Sequence, residues 1–108
     1  MSNVVQKKIV VPRYLPPKPT AVTGVTLVAS GKDKVTATWS PVPSDYESLG
    51  FYTRVSINGG NWTTWKKTPN LETSRVISTK PGDQIRIQIL EKNYSGSSPT
   101  AAGRFTAS

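Results

Sequence analysis

The sequence predicts an all-β fold, a seven-stranded antiparallel sandwich that follows an extended N-terminal arm. From Val22 onward, short segments alternate polar and apolar residues, which is the period of a half-buried strand. Turn residues interrupt this alternation about every eight to twelve positions, a spacing typical of sandwiches and barrels. The predicted strands are Thr23–Ala29, Lys34–Ser40, Phe51–Asn58, Asn61–Thr68, Thr73–Thr79, Asp83–Lys92 and Ala101–Ala107.

Alternation within each predicted strand separates core side chains from solvent-facing ones. We expect the core to contain Val25, Leu27, Val35, Ala37, Trp39, Val55, Ile57, Ile85, Ile87 and Ile89. Burying an unpaired charged or polar group is costly, so the interleaved positions should face solvent. These are Thr36, Thr38, Arg54, Ser56, Arg86 and Gln88.

Glycine, asparagine and proline mark the turns between strands. The segment Asn58-Gly59-Gly60-Asn61 predicts a tight hairpin, because its residues tolerate positive φ. Pro81-Gly82 marks the next corner, and the segment from Asn93 to Pro99 marks the last. The sandwich is therefore expected to span residues 22–108.

The arm, residues 1–21, contains four of the nine prolines, which favour an extended path. Fully extended, it would reach on the order of 70 Å. Five cations precede the first acidic residue, Asp33, and apolar residues lie between the cations. A flexible linker is one interpretation; the other is a docking segment whose partner-binding residues are Val5, Lys7, Lys8, Ile9, Val11, Arg13, Tyr14 and Leu15.

Composition excludes most catalytic and metal chemistry. The 108 residues include 14 Lys and Arg and 6 Asp and Glu, which give a formal net charge of +8. Neither cysteine nor histidine is present. Thiolate metal sites, cysteine nucleophiles and histidine bases are therefore excluded. Only Asp45 and Glu47 lie near each other among the carboxylates, and no nucleophile and base pair can be drawn. We expect no enzyme activity, no cofactor and no metal site.

Three segments resemble the fibronectin type III domain, over about residues 20–108. Trp39 with Ser40-Pro41 is similar to that family's core tryptophan and the proline after it. The run from Lys80-Pro81-Gly82-Asp83 to Ile89 resembles its E–F corner and F strand, and Asn93, Gly96, Ser98 and Pro99 resemble its F–G loop. The resemblance implies a seven-stranded sandwich, with a more general immunoglobulin-like sandwich as the alternative.

The chain departs from that family at two landmarks. Thr79 and Ile85 stand where the family has the leucine and tyrosine of its tyrosine corner, so we expect this corner to be absent. Thr53 stands where the third strand usually has a tyrosine. Both departures are those of a divergent branch of the family that the chain resembles, and they keep the more general immunoglobulin-like sandwich open.

Trp62, Trp65 and Lys66 form a candidate surface patch after the hairpin turn. Because the two tryptophans are three positions apart on a predicted strand, we expect them on opposite faces, with one in the core. An exposed tryptophan would be a platform for a sugar ring or a partner protein. The alternative is that this second tryptophan packs on the sheet edge or under a loop, with the adjacent lysines solvated or protecting that edge.

The expected function is that of a virion structural or accessory protein, decorating the capsid or attached to the neck or tail. Domains of this kind occur in tailed-phage virions, and the N-terminus has no apolar run long enough for an export signal or membrane insertion. The arm would bind capsid, neck or tail subunits, and the particle would assemble in the host cytoplasm.

Two alternatives remain open at this point. The first is a carbohydrate- or cell-surface-binding module from a larger bacterial secreted protein, with Trp62, Trp65 or Tyr52 stacking on a surface glycan. The second alternative is nucleic acid, which ranks below the other two hypotheses and is not an expected partner. Aromatic residues interleaved with cations on one face are not evident from the sequence.

Overall fold

Two antiparallel sheets pack face to face in the computed structural model of the chain, which describes residues 16–107. Its strands are β1 (Thr23–Gly31), β2 (Lys34–Ser40), β3 (Gly50–Ile57), β4 (Lys66–Lys67), β5 (Ser74–Ser78), β6 (Gln84–Asn93), β7 (Gly96–Ser97) and β8 (Ala101–Thr106). The first sheet has the order β1-β2-β5. The second has the order β4-β3-β6-β7, and β8 also pairs with β6. The predicted all-β sandwich is confirmed, with the two-residue β7 as an eighth strand.

The core lies between the sheets and follows the predicted parity. Ile85, Ile87 and Ile89 of β6 are completely buried. Trp39 meets Phe51 edge to face, with ring centroids 6.1 Å apart and planes at 62°. Val35, Ala37 and Val55 are buried as predicted, whereas Val25, Leu27 and Ile57 are partly buried and pack against the core. Each isoleucine buried in this way contributes roughly 1.5–3 kcal/mol.

One predicted strand, Asn61–Thr68, is wrong except at its end. Thr63 donates its backbone N–H to the Val55 carbonyl at 2.9 Å, but the Val55 N–H donates to the Thr63 side-chain Oγ1 at 3.0 Å. A side-chain hydroxyl thus takes the place of a backbone carbonyl, which stops the ladder. Regular pairing resumes only at β4, where Lys66 and Lys67 are the partners of Thr53 and Tyr52.

A polar clamp holds the corner before β6. The sequence predicted that this corner lacks the tyrosine of the family it resembles. Ile85 is completely buried and offers no hydroxyl there. Instead, Asp83 accepts hydrogen bonds from the Asn58 side-chain amide at 2.9 Å and from the Lys80 backbone N–H at 2.8 Å. The Asn58 side-chain oxygen accepts the Gln84 N–H at 2.8 Å. The hydrogen bond from Asn58, followed by that from Lys80, lowers the pKa of Asp83.

The described chain enters and leaves the sandwich at opposite ends. At the arm pole, defined by the turn at residues 93–96 and the loop at 41–49, the Asn93 side-chain amide donates to the Pro17 carbonyl at 2.7 Å. The Ser95 hydroxyl donates to the Pro16 carbonyl. At the distal pole, Ala107 exchanges backbone hydrogen bonds with residues 82 and 83. The ten residues of β6 place the poles roughly 30 Å apart.

Candidate functional site

The outer face of the second sheet concentrates positive charge. Because Ile85, Ile87 and Ile89 point into the core, the residues between them point outward. Register aligns Ser56, Arg86 and Arg104 in one cross-strand row, and Arg54, Gln88 and Ala102 in the next. No Asp or Glu occupies an outward position of β3, β6 or β8, since Glu91 has the inward parity and is buried.

Trp62 and Trp65 lie together over this face. The Arg54 guanidinium carbon is 5.0 Å from the centroid of the Trp62 ring and 4.7 Å from that of the Trp65 ring. The Arg86 guanidinium carbon is 5.0 Å from the Trp62 centroid. The prediction that the tryptophans lie on opposite faces, with one in the core, is therefore wrong. Alternation requires an extended strand, which residues 61–65 do not form.

We call Arg54, Arg86, Arg104, Trp62 and Trp65 the Trp–Arg face. Arg54 is held at its centre, because its Nε donates to the Gln88 Oε1 at 2.7 Å while both indoles contact the guanidinium. Each such cation–π contact contributes about 0.5–1 kcal/mol at an exposed site. Trp65 remains 36% exposed, so the face is open to a partner.

Ser56 joins the loop that carries the tryptophans to β3. Its hydroxyl donates to the Gly60 carbonyl at 2.7 Å and accepts from the Arg86 guanidinium at 3.4 Å. Ser56 is only 1% exposed, so its predicted solvent exposure is wrong. Its parity is outward as predicted, but the loop after β3 folds back over it. The same fold-back brings Trp62 onto the sheet.

Arg86 and Arg104 oppose each other directly across β6 and β8. Like charges at directly opposed positions of an antiparallel pair destabilise the sheet. Both residues are exposed, and outward positions of the neighbouring strands supply no carboxylate to offset them. The arrangement therefore favours an external anion at this row.

Lys66, the third residue of the predicted patch, lies elsewhere. It lines a cleft at the open edge between the two sheets, together with Thr53 and Arg75. There the Arg75 guanidinium donates to the buried Thr53 hydroxyl at 2.8 Å, and burial lowers the pKa of Arg75. Tyr52 does lie on the outer face of the second sheet, with the Lys92 ammonium 4.3 Å from its ring centroid.

Arg54 and Arg86 were predicted only to face solvent, not to form a site, and no role was predicted for Arg104. Sequence alternation gives the parity of each residue, but the neighbours of Arg86 depend on the register of β6 against β3 and β8. The recurrence of Arg at outward positions near a pair of tryptophans is the signal that was available. The predicted arm residues, Val5 to Leu15, lie outside the described residues.

Residues 16–107 contain no cluster of three or more His, Cys, Asp or Glu side chains arranged to hold a metal ion. Nor does any helix within that range have the length and apolar character needed to cross a membrane.

Comparisons with known proteins find the fold in several solved structures. A structure described as a myokine aligns over 83% of this chain and 99% of its own, with a TM-score of 0.67 and 15% identity. The chicken CNTN1 FN1-FN3 domains align over 83% of this chain and 32% of theirs, with a TM-score of 0.67 and 18% identity. Domains d3-d4 of the rat CD45 extracellular region align over 84% and 51%, with a TM-score of 0.69 and 11% identity.

These similarities define a fibronectin type III-like β-sandwich. No family profile and no curated protein sequence matches the chain. Domains of this fold are typically binding or structural modules rather than catalysts. The fold alone does not assign a partner, so any binding function has to be argued from the surfaces of this chain.

Proposed function

We propose that this chain is a non-enzymatic structural or accessory protein of a virion, attached by residues 1–21 to a capsid, neck or tail subunit, with the sandwich projecting outward. The observation that carries this proposal is the clamp at the arm pole. Asn93 and Ser95 each donate a side-chain hydrogen bond to the arm, at the carbonyls of Pro17 and Pro16.

The clamp fixes Pro16 and Pro17 against the turn at residues 93–96. Lys18 also lies against the turn, since its Cε is 3.3 Å from the position a Cβ would take at Gly96. A flexible tether needs no such contacts, whereas an anchor that orients a domain does. In this proposal, the distal pole and the outer sheet faces contact other proteins or a host surface.

Deletion of residues 2–15 tests the anchor. The core residues of the described sandwich begin at Val22, so we expect the shortened chain to fold and to be lost from purified particles. A control that keeps the arm replaces Lys32 and Lys34, two exposed cations on the β1–β2 hairpin, with glutamine. Circular dichroism melts verify folding of both variants. Normal incorporation of the deletion variant would refute the anchoring role.

A second candidate is a carbohydrate- or cell-surface-binding module, which is favoured by the location of Tyr52, Trp62 and Trp65 on one sheet face. Tryptophan emission of the intact chain should then change on addition of a neutral glycan, because both indoles would stack on sugar rings. Emission that stays unchanged across a panel of neutral glycans would exclude this candidate.

A further inference from the structure

We propose that the Trp–Arg face binds an acidic segment of a partner protein. The face lies on the sandwich, not on the arm that makes the proposed attachment. Carboxylates of that partner would pair with Arg54, Arg86 and Arg104.

The positive charge of the face requires a negatively charged partner. Arg54, Arg86, Lys92 and Arg104 all occupy outward positions of the second sheet, and no acidic residue shares those positions in β3, β6 or β8. From residue 86 to residue 92, the cationic stripe runs roughly 20 Å along β6. An acidic segment laid along it would meet Arg86 and Arg104 at one end, Arg54 beside Gln88, and Lys92 at the other end. Charge complementarity of this kind steers association.

The opposed arginines provide a second, independent indication of an anionic ligand. Arg86 and Arg104 are direct cross-strand partners on β6 and β8, and like charges at such positions destabilise a sheet. A carboxylate placed between them would convert this repulsion into two charge-assisted hydrogen-bonded contacts. Binding of a carboxylate would therefore stabilise this row of the sheet relative to the free protein.

Side-chain types favour a protein over a sugar or a nucleic acid. Arginine, tryptophan and tyrosine are the residues most enriched at protein–protein hot spots. Two guanidinium groups contact Trp62 and one contacts Trp65, at 4.7–5.0 Å, which reduces the indole surface open to a stacking sugar or base. Those contacts leave guanidinium N–H groups available to donate to a carboxylate of the partner.

The tryptophans position the arginines for binding. Arg54 is fixed by the Gln88 hydrogen bond and by two indole rings, so little side-chain freedom is left for a partner to remove. Preorganised side chains bind with a smaller entropic cost than free ones. Trp62 and Trp65 therefore act as positioning residues as well as contact residues.

The test uses the full chain and a fluorescein-labelled glutamate-rich peptide, with binding followed by anisotropy. We expect binding that weakens as salt rises, because exposed ion pairs are screened. R86Q/R104Q should weaken binding about tenfold, as expected when two solvent-exposed ion pairs are lost. K32Q/K34Q, which removes the same charge from the first sheet, should change binding less than about twofold.

Trp65→Ala tests the positioning role. It should weaken peptide binding about threefold, the equivalent of one lost cation–π contact, without changing net charge. Absence of peptide binding, or equal loss in R86Q/R104Q and K32Q/K34Q, would overturn the proposal. Tighter binding of heparin or oligo(dT) than of the peptide, with the same dependence on Arg86 and Arg104, would reject a protein as the partner class. Failure here leaves the arm-deletion result unaffected, so the two proposals fail separately.

Discussion

Replacement of Arg104 by glutamate should stabilise the sandwich. In the free protein, Arg104 on β8 is the direct cross-strand partner of Arg86 on β6, and both face solvent. Glutamate at position 104 would turn a like-charged pair into an oppositely charged one. A substitution that raises stability while removing a cation from the face would show that the native pair is retained at a structural cost.

The expected gain follows from the pair energies. An opposite-charge cross-strand pair contributes about 0.2–1 kcal/mol relative to alanine, and loss of the repulsion adds a similar amount. The sum is about 1 kcal/mol, which for a domain of this size raises Tm by about 4–8 °C. Because both side chains are exposed, the gain should shrink in about 1 M salt, where the Debye length falls to about 3 Å.

Thermal unfolding followed by circular dichroism, at low salt and at about 1 M salt, measures this gain. Arg104→Gln is the matched control, because it removes the repulsion without adding an attraction and should gain about half as much. The reasoning fails if Arg104→Glu is no more stable than Arg104→Gln at low salt, or if salt leaves the difference between them unchanged.

Three further substitutions probe the fold. Gly103→Ala should lower the free energy of unfolding in urea by about 1–3 kcal/mol, since its Cβ would lie 2.6 Å from the Val25 Cγ1. Unchanged stability would contradict so close an approach. Ile87→Ala should cost about 2–5 kcal/mol because the side chain is fully buried, and a cost below about 1 kcal/mol would contradict its central place in the core. Because the pKa of Asp83 is lowered in the folded chain, its ionised carboxylate stabilises the fold. This stabilisation is present above the unfolded pKa of about 3.9 and is lost as pH falls through the folded value. Asp83→Asn should therefore flatten the acid limb of stability against pH, and an unchanged slope would exclude the Asn58 clamp as its source.

Most of the sandwich could be predicted because its strands are strongly patterned. In β6 three isoleucines alternate with Arg and Gln, so the sequence indicates both the strand and its buried face. Lys34–Ser40 has the predicted bounds, and the other regular strands agree with the prediction to within two residues. Where side chains alternate and backbones pair with backbones, local pattern and tertiary structure agree.

The candidate site could not be predicted in the same way. The segment carrying Trp62 and Trp65 reads as a strand, but the Thr63 hydroxyl replaces a backbone acceptor and lets the segment fold back over Ser56. Local sequence does not specify that a side-chain hydroxyl replaces a backbone acceptor at this position. Nor does it specify that Arg86 meets Arg104, because their pairing depends on register between strands that are separated by a turn and an irregular connection.

Cryo-electron microscopy of particles purified from the source of this chain tests the central claim most directly, namely that the chain is a particle-attached module oriented by its arm. We expect one domain-sized density at each attachment site, with the turn at residues 93–96 toward the particle and the corner at Pro81-Gly82 pointing outward. Particles without such density, or with the Pro81-Gly82 corner against the shell, would contradict the account.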